Sequence, residues 1–480
     1  MEISTMWRSR VLRRCLLVIV LFGICGHFLW QNFSGRDHNE NIKGNLYEFT
    51  KDTNNSDKDR IKPDIPILLW WDSVYTDVDE IRQCGDKMCR ITNNKQLRHH
   101  PDTSVFLFYG SKFKPFNLPL PRKPHHLWAL MHEESPRNAY ILSHHPALTI
   151  FNFTSTYSRR TDYPITLQWL PCPDWLHDKT YMLPLVDKNR LRNLGLAPIL
   201  YIQSDCDVPS DRDSFVKQLQ RYIPIDSYGT CINNKKMDKK LRFHDNMAPL
   251  EDENFYRFAA RYKFTLAMEN YVCDDYITEK VWRPLRLGSV PIMFSAPNIW
   301  EYMPSNKSAI NIVDFEDIED LADYIHLLDN NDKLYKQYLS YKNEKLENKH
   351  LKQILEHRDW ISPTCNTRKY SINKSDFFTK KHPSIFSGYE CFLCNKVHEI
   401  YGSNFEKTFQ AEATHYGCPS PRKFDIQGHY SIHDDRWAAE WNYGKYEAEA
   451  MLKMYRENLV MSEKDYYKYV KKVMRTTDSY

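Results

Sequence analysis

Phe264-Thr-Leu-Ala-Met-Glu-Asn-Tyr-Val-Cys-Asp-Asp-Tyr-Ile-Thr-Glu-Lys-Val-Trp-Arg-Pro-Leu-Arg-Leu-Gly-Ser-Val-Pro-Ile-Met-Phe294 is the stretch whose reading decides the architecture. Phe264 to Met268 is a short, mostly apolar run of buried-strand type, and Val290 to Phe294 is another. Between them Tyr276 to Leu287 reads as a helix, with Asp274 or Asp275 as its cap. Gly288 follows where a left-handed residue closes a helix. Strand, helix and strand with short links form a right-handed parallel unit, and the ligands of such sheets sit at the carboxyl ends of the strands.

The same alternation extends outward. Pro198 to Gln203 reads as a strand and Asp211 to Tyr222 as a helix, while Ile318 to Leu328 and Lys333 to Leu346 supply further helices. Upstream, Ile65 to Trp71, Ser104 to Tyr109, Leu127 to Met131 and Ala147 to Phe151 read as strands of a first α/β layer. Its helices are harder to see than its strands. Residues 360–430 read as irregular, the last 45 or so as amphipathic helix, and there is no internal repeat. At 480 residues the chain exceeds one ordinary core, so two domains are expected.

At the N-terminus Cys15 to Trp30 is almost wholly apolar and follows Arg8, Arg10, Arg13 and Arg14. That charge bias predicts a signal-anchor with its N-terminus in the cytosol. A cleaved signal peptide is the other reading, and either one sends the rest of the chain into a secretory lumen. Residues 31–62 are polar and aperiodic, as in a stem. Sequons stand at Asn32, Asn54, Asn152, Asn306 and Asn373. Of the 12 cysteines, Cys15 and Cys25 lie in the apolar run and the others beyond it. Cys84 with Cys89 and Cys391 with Cys394 are close pairs, which suit disulfides in an oxidising compartment or a four-cysteine zinc site. The net charge of +4, from 66 basic and 62 acidic residues, names no partner. Without a long basic tract beyond the anchor, a dedicated nucleic-acid binder is excluded.

Three clusters are candidates for chemistry, all at predicted strand ends. Glu279 and Lys280 fall in the first turns of the helix after Met268, where a lysine suits a pyrophosphate and a carboxylate suits ribose hydroxyls. The bland alternative is a capped surface helix with a Glu279–Arg283 pair. Gln203-Ser-Asp-Cys-Asp-Val-Pro-Ser-Asp-Arg212 brings a guanidinium to the sheet edge, where it would fork onto diphosphate oxygens. Its Asp205-Cys-Asp207 has the form of a divalent-cation motif, or of a plain turn. Leu127 to Pro136 ends in His132, Glu133 and Glu134, so a general base or an ordinary charged strand exit stands there.

Asp275-Tyr-Ile-Thr-Glu-Lys280 followed by Gly288-Ser-Val-Pro291 resembles the donor signature of the α1,3-fucosyltransferase family. Pro119 to Arg122, His132 to Pro136, Asp162 to Pro164, Ser204 to Asp207, Ser210 to Arg212 and Cys273 to Tyr276 extend the likeness over roughly residues 65–345. They are closest to that family's ten and eleven branch. The resemblance implies an α/β, GT-B-like fold: two Rossmann-like domains facing a cleft, preceded by a transmembrane helix and stem. It implies inverting transfer from GDP-β-L-fucose with no metal and no other cofactor. By position Glu134 resembles the catalytic base, and Ser204, Arg212, Asn270, Tyr276, Glu279 and Lys280 resemble donor contacts. Arg212 and Lys280 would stabilise the leaving diphosphate, Glu279 would bind ribose, and Asn270 and Tyr276 would fix the fucosyl-diphosphate. Cys84/Cys89 and Cys391/Cys394 resemble cysteines that the family joins across the chain.

Two departures stand out. Asp205 occupies a position where many relatives have Asn, which adds negative charge beside a diphosphate, and the tail after about residue 400 is longer than in the Lewis-type enzymes. The branch is associated with O-fucosylation of Ser/Thr in folded EMI-type domains in the endoplasmic reticulum, beside α1,3-transfer to GlcNAc of N-glycans. The expected layout is therefore a cytosolic tail (1–14), an anchor (15–30), a stem (31–62), an acceptor-side domain (63–195), a donor domain (196–345) and a C-terminal extension (346–480) packing back on the first domain. The expected address is the endoplasmic reticulum or Golgi membrane, single-pass type II, and the expected partners are GDP-fucose, a glycoprotein or folded-domain acceptor and the membrane. A metal-dependent GT-A-type transferase using Asp205 and Asp207, and a non-catalytic luminal binder that keeps the donor fold, are the competing functions.

Overall fold

The computed structural model describes residues 63–170, 173–238, 241, 253–343, 346–358, 385–402, 409–424, 430–432 and 436–477. The expected tail, anchor and stem, and the sequons at Asn32, Asn54 and Asn373, lie outside the described residues. Among the described residues, no helix is long and apolar enough to cross a membrane.

The first sheet contains β1 (Ile67–Asp72), β2 (Asp79–Cys84), β3 (Lys87–Thr92), β4 (Thr103–Tyr109), β5 (Leu127–His132) and β6 (Phe153–Thr156), in the order β2-β3-β1-β4-β5-β6. Only the β2–β3 pair is antiparallel. The second sheet contains β7 (Ile199–Gln203), β8 (Ile225–Gly229), β9 (Phe264–Met268), β10 (Val290–Phe294) and β11 (Ile310–Asn311). It is wholly parallel, in the order β11-β10-β9-β7-β8. Its strand order reverses between β7 and β9, and the crevice outside their carboxyl ends is where such sheets take ligands.

Helices α1 (Arg212–Leu219), α2 (Glu279–Leu287) and α3 (Ile318–Asp329) belong to the second sheet. In α2, Val281, Trp282, Leu285 and Leu287 are buried. Gly288 closes it at φ 64°, a left-handed conformation that costs glycine nothing. Strands β9 and β10 coincide with the predicted runs. The cap does not: α2 starts at Glu279, and Thr278, not Asp274 or Asp275, accepts from the Lys280 N–H.

The first sheet takes its helical cover from the far end of the chain. Side chains alternate along β1, so Ile67, Leu69 and Trp71 face one layer while Leu68 and Trp70 face the other. The first layer includes Ala448, Met451 and Met454 of α5 (Arg436–Glu457) and Tyr466 and Val470 of α6 (Glu463–Thr477). The second includes Phe386, Leu393 and Val397 of α4 (Ile385–Gly402). The methionine, valine, leucine and phenylalanine side chains among them each contribute about 1.5–3 kcal/mol on full burial. In addition, Trp70 Nε1 donates to Glu390 Oε1 at 2.7 Å. Disulfides Cys84–Cys391 and Cys89–Cys394 staple α4 to the β2–β3 hairpin. With those sulfurs bonded in pairs, no thiolates remain for the four-cysteine zinc reading.

Several expectations are corrected. Ala147 to Phe151 is not a strand: Pro146, at the first turn of a short helix His145–Leu148, presets helical φ, and the strand forms at Phe153–Thr156 instead. The helix expected over 333–346 is only Asp332–Gln337 with a later 3-10 turn, Ser340–Lys342. The segment expected to be irregular holds the 18-residue α4. The carboxamide of the Asn152 sequon is engaged within the fold. Its oxygen accepts from Trp128 N at 2.8 Å and from Arg122, and its Nδ2 donates to the Phe409 carbonyl at 2.8 Å. Asn306 is exposed.

Candidate active site

Strand β5 ends at His132, and the two carboxylates that follow enter different surroundings. Tyr109 Oη donates to Glu133, whose carboxyl burial lifts to about 7. Glu134 instead meets the second sheet's loop: Tyr276 Oη stands 3.5 Å from its Oε2. Burial raises the Glu134 carboxyl above the ordinary range, while the Lys280 ammonium pulls it back down. Its own carbonyl accepts from Tyr416 Oη at 3.0 Å. A half-buried carboxylate with an elevated pKa and an open edge has the properties of a general base.

Lys280 stands at the centre of the charge cluster. Its Nζ lies 3.3 Å from Glu279 Oε1 and 3.5 Å from Glu269 Oε2, and donates to Thr278 Oγ1 at 3.1 Å. Burial disfavours its charge, but Glu279 and Glu269 outweigh that and hold the ammonium protonated above the usual lysine range. Burial likewise pushes Glu279 up, and Lys280 with Arg283 overcomes it, so Glu279 stays ionised. Glu269 is fully buried and accepts from the Thr278 N–H at 2.7 Å and from its hydroxyl. It closes the loop onto the start of α2.

Arg212 opens α1 at the carboxyl edge of the sheet, yet only 1 % of its side chain is exposed. It donates to the Met268 carbonyl (3.0 Å), Gln203 Oε1 (2.9 Å) and the Asp205 carbonyl (2.6 Å), while its buried Nε has no partner among the described residues. The guanidinium thus ties β7 to β9. Asn270 presents a buried Oδ1 that also lacks a partner among the described residues. Ser204 is exposed at the exit of β7, and its carbonyl accepts from Thr230 Oγ1 at 2.9 Å. Glu134, Tyr276, Glu279 and Lys280 are therefore brought into one cluster, Arg212 and Asn270 border it, and Ser204 sits on its outer rim.

The Asp205–Asp207 pair is held by two arginines. Arg137 Nη1 donates to Asp205 Oδ2 at 2.7 Å, and Arg436 Nη2 to Asp207 Oδ2 at 2.5 Å. A Cys206–Cys231 disulfide pins the loop between them. The carboxylates point to different cations, which is the opposite of a shared chelate.

Glu269, Arg137 and Tyr416 escaped the sequence reading, and Asp275 was read as a helix cap and not as a partner of Arg159. Asp275 takes a left-handed φ of 65° and receives Arg159 through N (2.9 Å), Nε (2.9 Å) and Nη2 (2.7 Å), with Asn298 Nδ2 at 2.8 Å. The acidic pair in the loop hinted at it. For Tyr416 there was no signal, because its partner lies far away in the chain.

Residues 62–168 match the family described as Fucosyltransferase, N-terminal, and residues 196–399 match Glycosyltransferase family 10 (fucosyltransferase) C-term. A Homo sapiens protein named GDP-fucose protein O-fucosyltransferase 3 is 40% identical over 84% of this chain and 82% of its own length. The Gallus gallus protein of that name is 39% identical over 85% and 84%. A crystal structure of alpha1,3-fucosyltransferase with GDP-fucose aligns over 73% of this chain and 94% of that one, at 14% identity and TM-score 0.38. On the two family matches and the identity to these relatives, the chain belongs to glycosyltransferase family 10, the fucosyltransferases.

Proposed function

We propose that this chain transfers L-fucose from GDP-β-L-fucose, with inversion, to a Ser or Thr hydroxyl of a folded, EMI-type protein domain. The observation that carries the reading is the approach of Glu134, on the first sheet, to Tyr276 and Lys280 on the second. Glu134 takes the acceptor proton as the acceptor oxygen bonds to the anomeric carbon. The bond from that carbon to the diphosphate breaks on the opposite face, and Lys280 and Arg212 receive the charge that develops on GDP. Glu279 holds the ribose hydroxyls, Asn270 and Tyr276 fix the fucosyl-diphosphate, and Ser204 contacts the donor from the rim. Pairing of Asp205 and Asp207 with arginines supports a reaction that needs no metal, against the Asp205/Asp207 cation-binding alternative. The relatives' printed name supports a protein acceptor over a glycan.

The reading includes residues 15–30 as a type II membrane anchor and the catalytic body in the lumen of the endoplasmic reticulum or Golgi. The arginines before that run and the disulfides beyond it support this. A transfer assay tests the function. It offers labelled GDP-fucose with an EMI-type domain and, separately, a GlcNAc-terminated N-glycopeptide, with and without EDTA. Label on Ser/Thr supports the reading. Label only on GlcNAc makes the chain a glycan-modifying enzyme, and donor binding without transfer makes it a non-catalytic binder.

A further inference from the structure

The segment Phe409–Pro419 runs along the first sheet and ends covalently attached to the second. Its start is held by the Ala411 N–H donating to the Phe151 carbonyl at 2.9 Å and by Asn152 on the Phe409 carbonyl. Further on, Thr156 Oγ1 donates to the His415 carbonyl at 2.6 Å and Ser158 Oγ to the Thr414 carbonyl at 3.1 Å. Tyr416 then turns inward and is 1 % exposed. Its ring stacks on His132 at 5.4 Å and packs on Tyr157 at 5.3 Å, and Tyr157 in turn packs edge-on against Tyr276 at 5.1 Å. Its hydroxyl donates to the backbone carbonyl of Glu134. Two residues later Cys418 is bonded to Cys273, and Tyr271 Oη donates to the Pro419 carbonyl at 2.9 Å. Cys273 sits inside the loop that carries Asn270 and Tyr276.

We infer that Phe409–Pro419 is a strap that sets the separation between Glu134 and the donor loop, with Tyr416 as the positioning residue and Cys273–Cys418 as its clasp. The inference rests on the proposed transfer for its kinetic meaning only. One short segment grips both reacting partners: Tyr416 fixes the main chain of the base, and the clasp fixes the loop three residues before Tyr276. The two sheets also meet here through noncovalent contacts, Tyr276 with Glu134, Arg137 with Asp205 and Arg159 with Asp275, and the disulfide adds to them a bond that cannot stretch by an ångström. Displacements of that size cost about a hundredfold in rate when they fall on reacting groups. The Tyr416 hydroxyl bonds the main chain of Glu134, not a residue proposed to hold the donor, so donor affinity should be insensitive to Tyr416→Phe, whereas the clasp holds the loop that bears Asn270 and Tyr276.

The full chain is compared with Tyr416→Phe and with the double variant Cys273→Ser/Cys418→Ser by hydrogen exchange and steady-state kinetics. Tyr416→Phe keeps the ring against His132 and so keeps the core, which covers the case where the double variant does not fold. Expected are faster amide exchange over 132–135 in Tyr416→Phe and over 270–276 in the double variant. With them kcat should fall about tenfold to a hundredfold, and in Tyr416→Phe the KM for GDP-fucose should stay within about twofold. Unchanged exchange over 132–135 in Tyr416→Phe overturns the strap, whatever the rate does. Faster exchange in a chain whose wild type transfers no fucose leaves the strap standing and removes the proposed function.

Discussion

Arg137, just after the end of β5, donates to Asp205, just after the end of β7, at 2.7 Å, so an ion pair spans the two sheets at the mouth of the site. The same carboxylate lies 4.0 Å from Arg212. The acidic residue that looked misplaced beside a diphosphate is thereby neutralised from two directions. It draws the Ser204 loop toward the first sheet without leaving a net negative charge to repel the donor.

Chelation should therefore leave the reaction alone. EDTA is expected to change the transfer rate by less than about twofold. Asp207→Asn, which breaks only an exposed pair worth about 0–1 kcal/mol, should keep activity within about fivefold. A rate abolished by EDTA and restored by manganese would return Asp205 and Asp207 to a metal-binding role.

Glu134→Gln preserves shape and hydrogen-bonding capacity but cannot accept a proton. Transfer should fall by about a hundredfold to ten-thousandfold, the usual scale for a general base. GDP affinity by calorimetry should remain. Near-normal turnover in this variant would remove Glu134 from the base role.

The pH profile carries a second signature of that residue. Burial holds the Glu134 carboxyl above its ordinary value and Lys280 lowers it. A base works only when deprotonated, so kcat/KM should fall as pH drops through that elevated pKa. Removing the ammonium in Lys280→Met lifts the carboxyl further, which should move the acid limb to higher pH while weakening GDP binding. An acid limb that stays in place would separate Lys280 from Glu134.

Asp275 is expected to matter to stability. Burial pushes its carboxyl up, but the bonds from Arg159, Tyr302 and Asn298 prevail and its pKa is lowered in the fold. Its contribution is complete above the unfolded value, about 4, and is lost as pH falls through the depressed folded value. Asp275→Ala removes the acceptor of Arg159, Tyr302 and Asn298, leaving Arg159 with Glu301, and urea unfolding should report a loss of about 2 kcal/mol.

Glycosylation separates the two described sequons. Asn306→Gln should remove one glycan on a gel after expression in a secretory host. Asn152→Gln should remove none, and it should lower stability because three hydrogen bonds converge on that carboxamide.

Much of the donor half was legible along the chain because its parallel unit is local. Phe264–Met268, α2, Gly288 and Val290–Phe294 follow one another within a single stretch. Apolar runs and a left-handed glycine are properties of neighbours in sequence, although the cap fell on Thr278 and not on the acidic pair before it. Glu134, Glu279 and Lys280 were visible for the same reason, since each sits at the end of a readable strand or the start of a readable helix. The resemblance sent the C-terminal extension back to the first domain, but only the tertiary structure decided which helices cover which face of the first sheet. Its strands need apolar layers on both faces, and those layers come from α4, α5 and α6, hundreds of residues downstream, where no local period says which sheet they serve. It also decided the partners of Asp205, Asp275 and Cys273. Charge pairing and disulfide choice depend on distance in space, and a chain folded back on itself brings Arg137, Arg159 and Cys418 to them from remote positions.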